Sequence, residues 1–321
     1  DNSSLTLRGI SSTMSPDRSR SPRGDARHTQ TATFATGCFY GAECIWARQP
    51  GVMCTAVGFA GGHTSGEVSY KEVCTGLTGH SEVVRVTFDA TQTSYNKLLD
   101  VFWGIPGHAT RRAWQRRNGE ITVREADYPN GSPDKATGLR HGWQYRSALF
   151  PESEQQLAAA LESYRAMANQ LRQENAGPLV TEVSLLDQFH LAEDYQQKYI
   201  LQYDFPSVYA TLSSVLPATD ESGGWSKAGV VLAESSLAAK LSAFIVRPDK
   251  RSQQLLDEIR ALNPPGSLLD MLKGCDGAGS AKCLQNTFDP RIPVKYGASC
   301  GESVAAAELR GMLVDGPISE A

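Results

Sequence analysis

Residues 31–48 read Thr31-Ala-Thr-Phe-Ala-Thr-Gly37-Cys38-Phe39-Tyr40-Gly41-Ala-Glu43-Cys-Ile-Trp-Ala-Arg48. The first six residues are strand-like. The run from Ala42 to Arg48 is amphipathic at helical spacing. Cys38 therefore falls where a strand ends and a helix begins. Unpaired backbone N–H groups at a helix start favour negative charge, so a thiol placed there loses its proton more readily than usual. Gly37 and Gly41 flank it and permit close approach to the backbone. Phe39 and Tyr40 can wall an apolar pocket beside the sulfur. Two readings stand at this point: a reactive thiol next to a small apolar group, or a buried and inert cysteine.

Working outward, residues 52–60 read as a buried strand ending at Gly61-Gly62, with a polar loop through Gly79. Residues 82–88 alternate, placing Val84, Val86 and Phe88 on one side. Ser94 can cap a helix whose Tyr95, Leu98, Leu99 and Phe102 share a face. Residues 143–150 read as a further strand. A long helix follows from Glu152 to about Glu174, stopped by Asn175-Ala-Gly-Pro178, and residues 179–185 offer one more strand. The order β-α-β-β-α-β is the split βαβ of ferredoxin-like folds. The expected class is α+β, a two-layer α/β plait with extra C-terminal helices over 233–246 and 251–262. Residues 106–137 interrupt this order as an inserted loop rich in Pro, Gly and charge.

Composition narrows the functional classes. The chain has 321 residues, 40% hydrophobic and 21% charged, with a formal net charge of −4. That balance is globular and argues against a general nucleic-acid binder. No run is apolar for long enough to span a membrane. The seven cysteines are an odd number and form no Cys-x-x-Cys pair, which fits a reducing compartment with working thiols. The expected location is cytoplasmic. The Ser/Arg-rich residues 1–30 read as a disordered tail, with organelle targeting left open. The expected division is a tail over 1–30, a catalytic domain over 31–204 and a C-terminal extension over 205–321.

Gly37-Cys-Phe-Tyr-Gly-Ala-Glu43 resembles the Gly-Cys-Phe-Trp-Gly-x-Glu signature of the methionine sulfoxide reductase A family. Further stretches match that family in order: Val57-Gly-Phe-Ala-Gly-Gly-His-Thr64, Ser69-Tyr-Lys-Glu-Val-Cys-Thr-Gly76, Thr78-Gly-His-Ser-Glu82, Gln144-Tyr-Arg-Ser147 and Ala192-Glu-Asp-Tyr-Gln-Gln-Lys-Tyr199. Any one motif is weak, but several in register are specific. The resemblance runs over about residues 31–246. It implies the two-layer plait, agreeing with the order above, and reduction of methionine S-sulfoxide. It also implies roles. Cys38 matches the nucleophile, Phe39 the pocket aromatic, Glu82 the acid near the sulfoxide oxygen, and Tyr70 and Tyr145 the hydroxyls that bind that oxygen. Tyr40 stands where the family usually has Trp. Arg140 and Trp143 replace the family's usual Asp and Thr.

The chemistry needs such a set. A thiolate must attack the electrophilic sulfur while a proton reaches the departing oxygen. Cys38 would become a sulfenic acid that a second thiol must reduce. Family members often carry resolving cysteines in a Gly-rich tail, which implies Cys275 and Cys283 here. Direct reduction of Cys38 by thioredoxin or another outside thiol is the other reading. Taken without the motif, Glu82 reads as a solvated strand-edge acid, and Tyr70 and Tyr145 as core-rim residues. The alternative function is a weakened homologue that binds oxidised methionine peptides without reducing them. The expected partners are oxidised methionine, in proteins or free, and a thiol reductant such as thioredoxin. The chain is expected to be a monomer needing no cofactor and no metal.

Overall fold

The computed structural model describes residues 28–64, 66–105, 115–117, 120–122, 142–176, 178–216, 227–246 and 251–272. The first half runs β1 (Thr29–Thr36), α1 (Phe39–Ala47), β2 (Val52–Ala60), α2 (Tyr70–Cys74), β3 (Ser81–Asp89) and α3 (Tyr95–Gly104). A short ribbon, β4 (Gln115–Arg117) with β5 (Glu120–Thr122), lies within the inserted segment. Next come β6 (Ser147–Phe150), α4 (Glu154–Glu174), β7 (Glu182–Val183) and β8 (Phe189–Leu191). Helices close the described chain: α5 (Tyr199–Tyr203), α6 (Pro206–Ser213), α7 (Lys227–Glu234), α8 (Ser236–Val246), α9 (Ser252–Ala261) and α10 (Gly266–Leu272). Among the described residues no helix is long and apolar enough to cross a membrane.

The main sheet has the order β7-β6-β1-β3-β2-β8. Strand β3 lies between β1 and β2 and is antiparallel to both, which is the split βαβ read from the sequence. Strand β6 adds antiparallel to β1, and β7 adds parallel to β6. One face carries α1, α3 and α4. Phe34 stacks on Trp46 at 4.2 Å there, with Val86, Phe88, Leu98, Leu99 and Phe102 buried around them. These are the alternating and helical-period residues that the sequence marks as core. A smaller cluster of Ala35, Ala60, Val83, Ala148 and Phe150 covers the opposite face with Leu186 and Phe189.

Helix termini follow their side chains. Ser94 accepts the Lys97 N–H at the start of α3, as expected, and Ser153 accepts the Gln156 N–H at the start of α4. Asn175, at φ 53°, ends α4 in the left-handed conformation. The reading of 179–185 as a strand shrinks to the two residues of β7. Helix α2 and strand β8 lie in stretches with no marked period; elements of five and three residues are too short to display one.

Helix α1 is buried on both sides. Phe39, Ala42 and Trp46 face the sheet core. Cys44 and Ala47 face a second core built from Leu201, Val208, Leu232, Phe244, Leu255 and Ile259 of the C-terminal helices. Arg48 donates to the Ala243 carbonyl at 2.5 Å, closing the same contact.

A buried ion pair ties α1 to the chain entering α5. Lys198 Nζ lies 2.6 Å from Glu43 Oε1 and donates to the Thr55 carbonyl at 2.6 Å. The Lys198 N–H donates to Glu43 Oε2 at 2.9 Å, and Thr55 Oγ1 donates to Glu43 Oε1 at 3.1 Å. Lys198 holds φ 53°, a left-handed conformation that this set of bonds fixes. Removing one member strands the other charge away from water. Glu43→Ala is expected to cost about 3–5 kcal/mol of stability, while joint replacement by Glu43→Leu and Lys198→Met costs far less. Urea unfolding midpoints of the two variants check this; equal losses would contradict it.

Candidate active site

Gly37 has φ 95°, in the left-handed region where a side chain is strained. That turn takes the chain from β1 into α1 and leaves Cys38 as the N-cap, at φ −57° and ψ 122°. The Cys38 side chain is half-buried. Its carbonyl accepts the Ala42 N–H at 3.4 Å, the first bond of the helix. The next N–H, that of Phe39, donates to Glu82 Oε2 at 3.0 Å. A carboxyl group thus sits at the start of α1, one residue from the thiol. Glu82 comes from β3, paired with Phe59 of β2, and is 1% exposed. The solvated-edge reading of Glu82 is thereby removed.

The two other sequence-marked phenols meet this point from separate elements. Tyr70 opens α2, whose capping box is Ser69 with Glu72. The Tyr70 N–H is held by Glu193 Oε1 at 2.8 Å. Tyr145 ends a 3-10 turn, Trp143–Tyr145, entered through Gly142 at φ 82°. The Tyr70 and Tyr145 phenols lie close enough that each influences the other's proton affinity. Burial, then the Glu82 charge, push both phenols well above their ordinary range, so both keep their protons. The Cys38 charge adds to the rise for Tyr145.

Phe39 and Tyr40 form an aromatic wall, 5.1 Å apart and tilted by 43°. Phe59 and Tyr70 extend it, each about 6 Å from Phe39. The Tyr40 phenol is also pushed up, by burial first and then by Cys38 and Glu82. Cys38, Phe39, Tyr40, Tyr70, Glu82 and Tyr145 are thus brought to one place. Cys275 and Cys283 lie outside the described residues, as does Arg140. Trp143 has the Arg146 guanidinium 5.2 Å over its ring.

The other described cysteines differ from Cys38 in their surroundings. Burial, then the Glu43 charge, push the Cys44 thiol far up, and burial raises that of Cys54. Both are poor thiolates. The Cys74 sulfur accepts from Gln144 Nε2 at 3.7 Å. His80 is buried, and burial with His190, Arg146 and His63 nearby brings its pKa down to about 4, so it is neutral near pH 7.

Several supporting residues escaped sequence reasoning. Glu193 holds Tyr70, Gln196 accepts from the Tyr40 phenol, and Tyr199 stacks on Tyr40 at 3.8 Å. Gln197 clamps β2, accepting the Val57 N–H at 3.0 Å and donating to the Val57 carbonyl at 2.8 Å. All four lie in Ala192–Tyr199. That stretch is polar apart from Ala192, Tyr195 and Tyr199, yet Gln196 and Gln197 are fully buried.

Chemically, the arrangement places a half-buried thiol at a helix start beside one carboxyl and two protonated phenols, with an apolar wall. Such a set suits thiol attack on a small polar substrate whose oxygen must collect protons.

A profile of the peptide methionine sulfoxide reductase family matches residues 30–119 and 130–221. The chain is 38% identical over 185 residues to the peptide methionine sulfoxide reductase MsrA of Salinispora arenicola, covering 56% of this chain and 71% of that one. It is 41% identical over 180 residues to the MsrA of Methanosarcina acetivorans, covering 55% and 80%. It is 39% identical over 172 residues to the human mitochondrial peptide methionine sulfoxide reductase, covering 54% and 63%. Among solved structures, methionine sulfoxide reductase A of Corynebacterium diphtheriae aligns at 30% identity and TM-score 0.44, over 56% of this chain and 78% of that one. With the family profile covering more than half of the 321 residues, this chain belongs to the peptide methionine sulfoxide reductase family, thiol-dependent oxidoreductases that return methionine sulfoxide to methionine.

Proposed function

We propose that Cys38 is the nucleophile of this reductase and that Glu82, with Tyr70 and Tyr145, supplies protons and hydrogen bonds to the sulfoxide oxygen. The observation that carries this reading is the Phe39 N–H to Glu82 contact at 3.0 Å, which sets the acid beside the thiol residue. The Cys38 thiolate attacks sulfur. The S–O bond breaks, the oxygen passes to Cys38 as a sulfenic acid, and methionine leaves. Glu82, buried and bonded to the Phe39 N–H, is placed to act as the donor when it carries a proton. Tyr70 and Tyr145 keep their protons and can donate to the oxygen as charge develops. Phe39 and Tyr40 hold the S-methyl group.

The cycle then needs two electrons. A thiol condenses with the sulfenic acid, releasing water, and a second thiol opens the resulting disulfide. Thioredoxin or a similar dithiol is the proposed reductant, acting directly or through Cys275 or Cys283. The S epimer of methionine sulfoxide, peptidyl or free, is the proposed substrate. Residues 31–204 are assigned as the catalytic domain, 205–321 as its extension, and the cytoplasm as the location. The test is stoichiometric. Enzyme mixed with excess S-sulfoxide peptide and no reductant should yield about one methionine per chain when Cys38 acts alone, and none from the R epimer. Zero product from either epimer would instead favour a binder of oxidised peptides.

A further inference from the structure

We propose that Gln196 is a positioning residue for the reaction: it fixes the Tyr40 ring as the wall of the substrate pocket by accepting the phenol hydrogen bond. The proposal rests on the reading of Tyr40 as a pocket residue.

Gln196 ends the 3-10 turn Asp194–Gln196 and is fully buried. Its backbone cannot drift. The Gln196 N–H donates to the Glu193 carbonyl at 2.8 Å. On its other side, Gln197 is bound to both backbone groups of Val57, and Lys198 is tied to Glu43. Gln202 Nε2 donates to the Asp194 and Gln197 carbonyls at 2.9 and 2.6 Å. The backbone of Gln196 is therefore fixed, and its buried side chain presents Oε1 to the Tyr40 hydroxyl, from which it accepts.

Among the described residues, the other side-chain contacts of Tyr40 are ring contacts, to Phe39 and Tyr199. Tyr199 lies stacked against it at 3.8 Å with planes 15° apart, and Tyr203 backs Tyr199 at 4.4 Å. A stack resists tilting but allows sliding in its own plane. The hydroxyl bond removes that freedom. Burial and the charges of Cys38 and Glu82 keep the phenol protonated, so it remains the donor and Gln196 must present its carbonyl oxygen. A wall held in one place lowers the cost of ordering the pocket when substrate enters. Losing the bond should therefore weaken substrate binding more than the chemical step, whose acid and nucleophile it does not touch.

The experiment measures single-turnover reduction of a methionine S-sulfoxide peptide against peptide concentration, which separates binding from the rate at saturation. It uses the full chain and the variants Tyr40→Phe, Gln196→Met, their combination, and Tyr40→Ala, each checked for an unchanged circular dichroism spectrum. Tyr40→Phe and Gln196→Met should each raise the half-saturating concentration about fivefold, the worth of one ordinary hydrogen bond. The saturated rate should fall by a smaller factor. In the combined variant the rise should be no larger than in either single one, because both remove the same bond. Full additivity of the two substitutions, or unchanged binding in Gln196→Met, overturns the proposal. Should Tyr40→Ala also leave binding unchanged, the pocket reading of Tyr40 falls with it. Weakened binding in Tyr40→Ala with normal binding in Gln196→Met overturns the positioning role alone.

Discussion

Cys38→Ser yields no methionine from S-sulfoxide substrates, even in a single turnover with enzyme in excess. A serine hydroxyl does not ionise near neutral pH, and it cannot accept the sulfoxide oxygen as a stable sulfenic acid. The neighbouring thiols of Cys44 and Cys54 cannot take over. Cys44 and Cys54 both have raised thiol pKa values, and Cys44 is sealed in the core between α1 and the C-terminal helices. The fold should survive, because the Cys38 side chain is half-buried and makes no side-chain cap bond to the helix. Thermal unfolding compared with the wild type checks that point. Product formed by a folded Cys38→Ser variant would move the nucleophile elsewhere.

Glu82→Gln slows the chemical step by roughly 10²–10⁴, the usual contribution of a general acid. The substitution is chosen because it preserves shape. The amide can still accept the Phe39 N–H that Glu82 accepts at 3.0 Å, so the start of α1 keeps its partner. What is lost is the proton for the departing oxygen. Tyr70 and Tyr145 remain as hydrogen-bond donors, but phenols pushed far above their ordinary range give up protons reluctantly, so they should not rescue the rate. The measurement is the single-turnover rate constant at saturating substrate. A variant within about threefold of the wild type would make Glu82 a structural residue.

The split βαβ was legible because its elements are long enough to display a period. Val84, Val86 and Phe88 alternate, and Leu98, Leu99 and Phe102 recur at helical spacing; the structure buries all of them in one cluster. The first-line residues of the site were legible for a different reason. A strand, a glycine and a cysteine before an amphipathic run carry a physical expectation on their own. The matching motifs then pointed to Glu82, Tyr70 and Tyr145.

The supporting strap was not legible in the same way. Gln196, Gln197 and Lys198 belong to types that are usually solvated, and their sequence neighbours are polar. Their burial depends on contacts made across more than a hundred residues, such as Lys198 with Glu43 and Gln197 with Val57. No local pattern encodes a partner that distant. Glu43 illustrates the same limit. Read locally it is an acid on the helix after the thiol, yet it anchors α1 to Lys198 and Thr55. The double-sided burial of α1 was hidden too, because Cys44 and Ala47 look no different from residues on a single apolar face.

In the proposed reaction, oxygen passes from methionine sulfoxide to Cys38. Mass spectrometry of the proteolysed enzyme after one equivalent of S-sulfoxide peptide, without reductant and with a sulfenic-acid trap present, reads that transfer directly. Such transfer leaves one added oxygen, or its trapped adduct, on the peptide bearing Cys38, or a disulfide joining Cys38 to another cysteine, in step with the methionine formed. Methionine produced while the Cys38 peptide stays an unmodified thiol and no new disulfide forms elsewhere in the chain would contradict it.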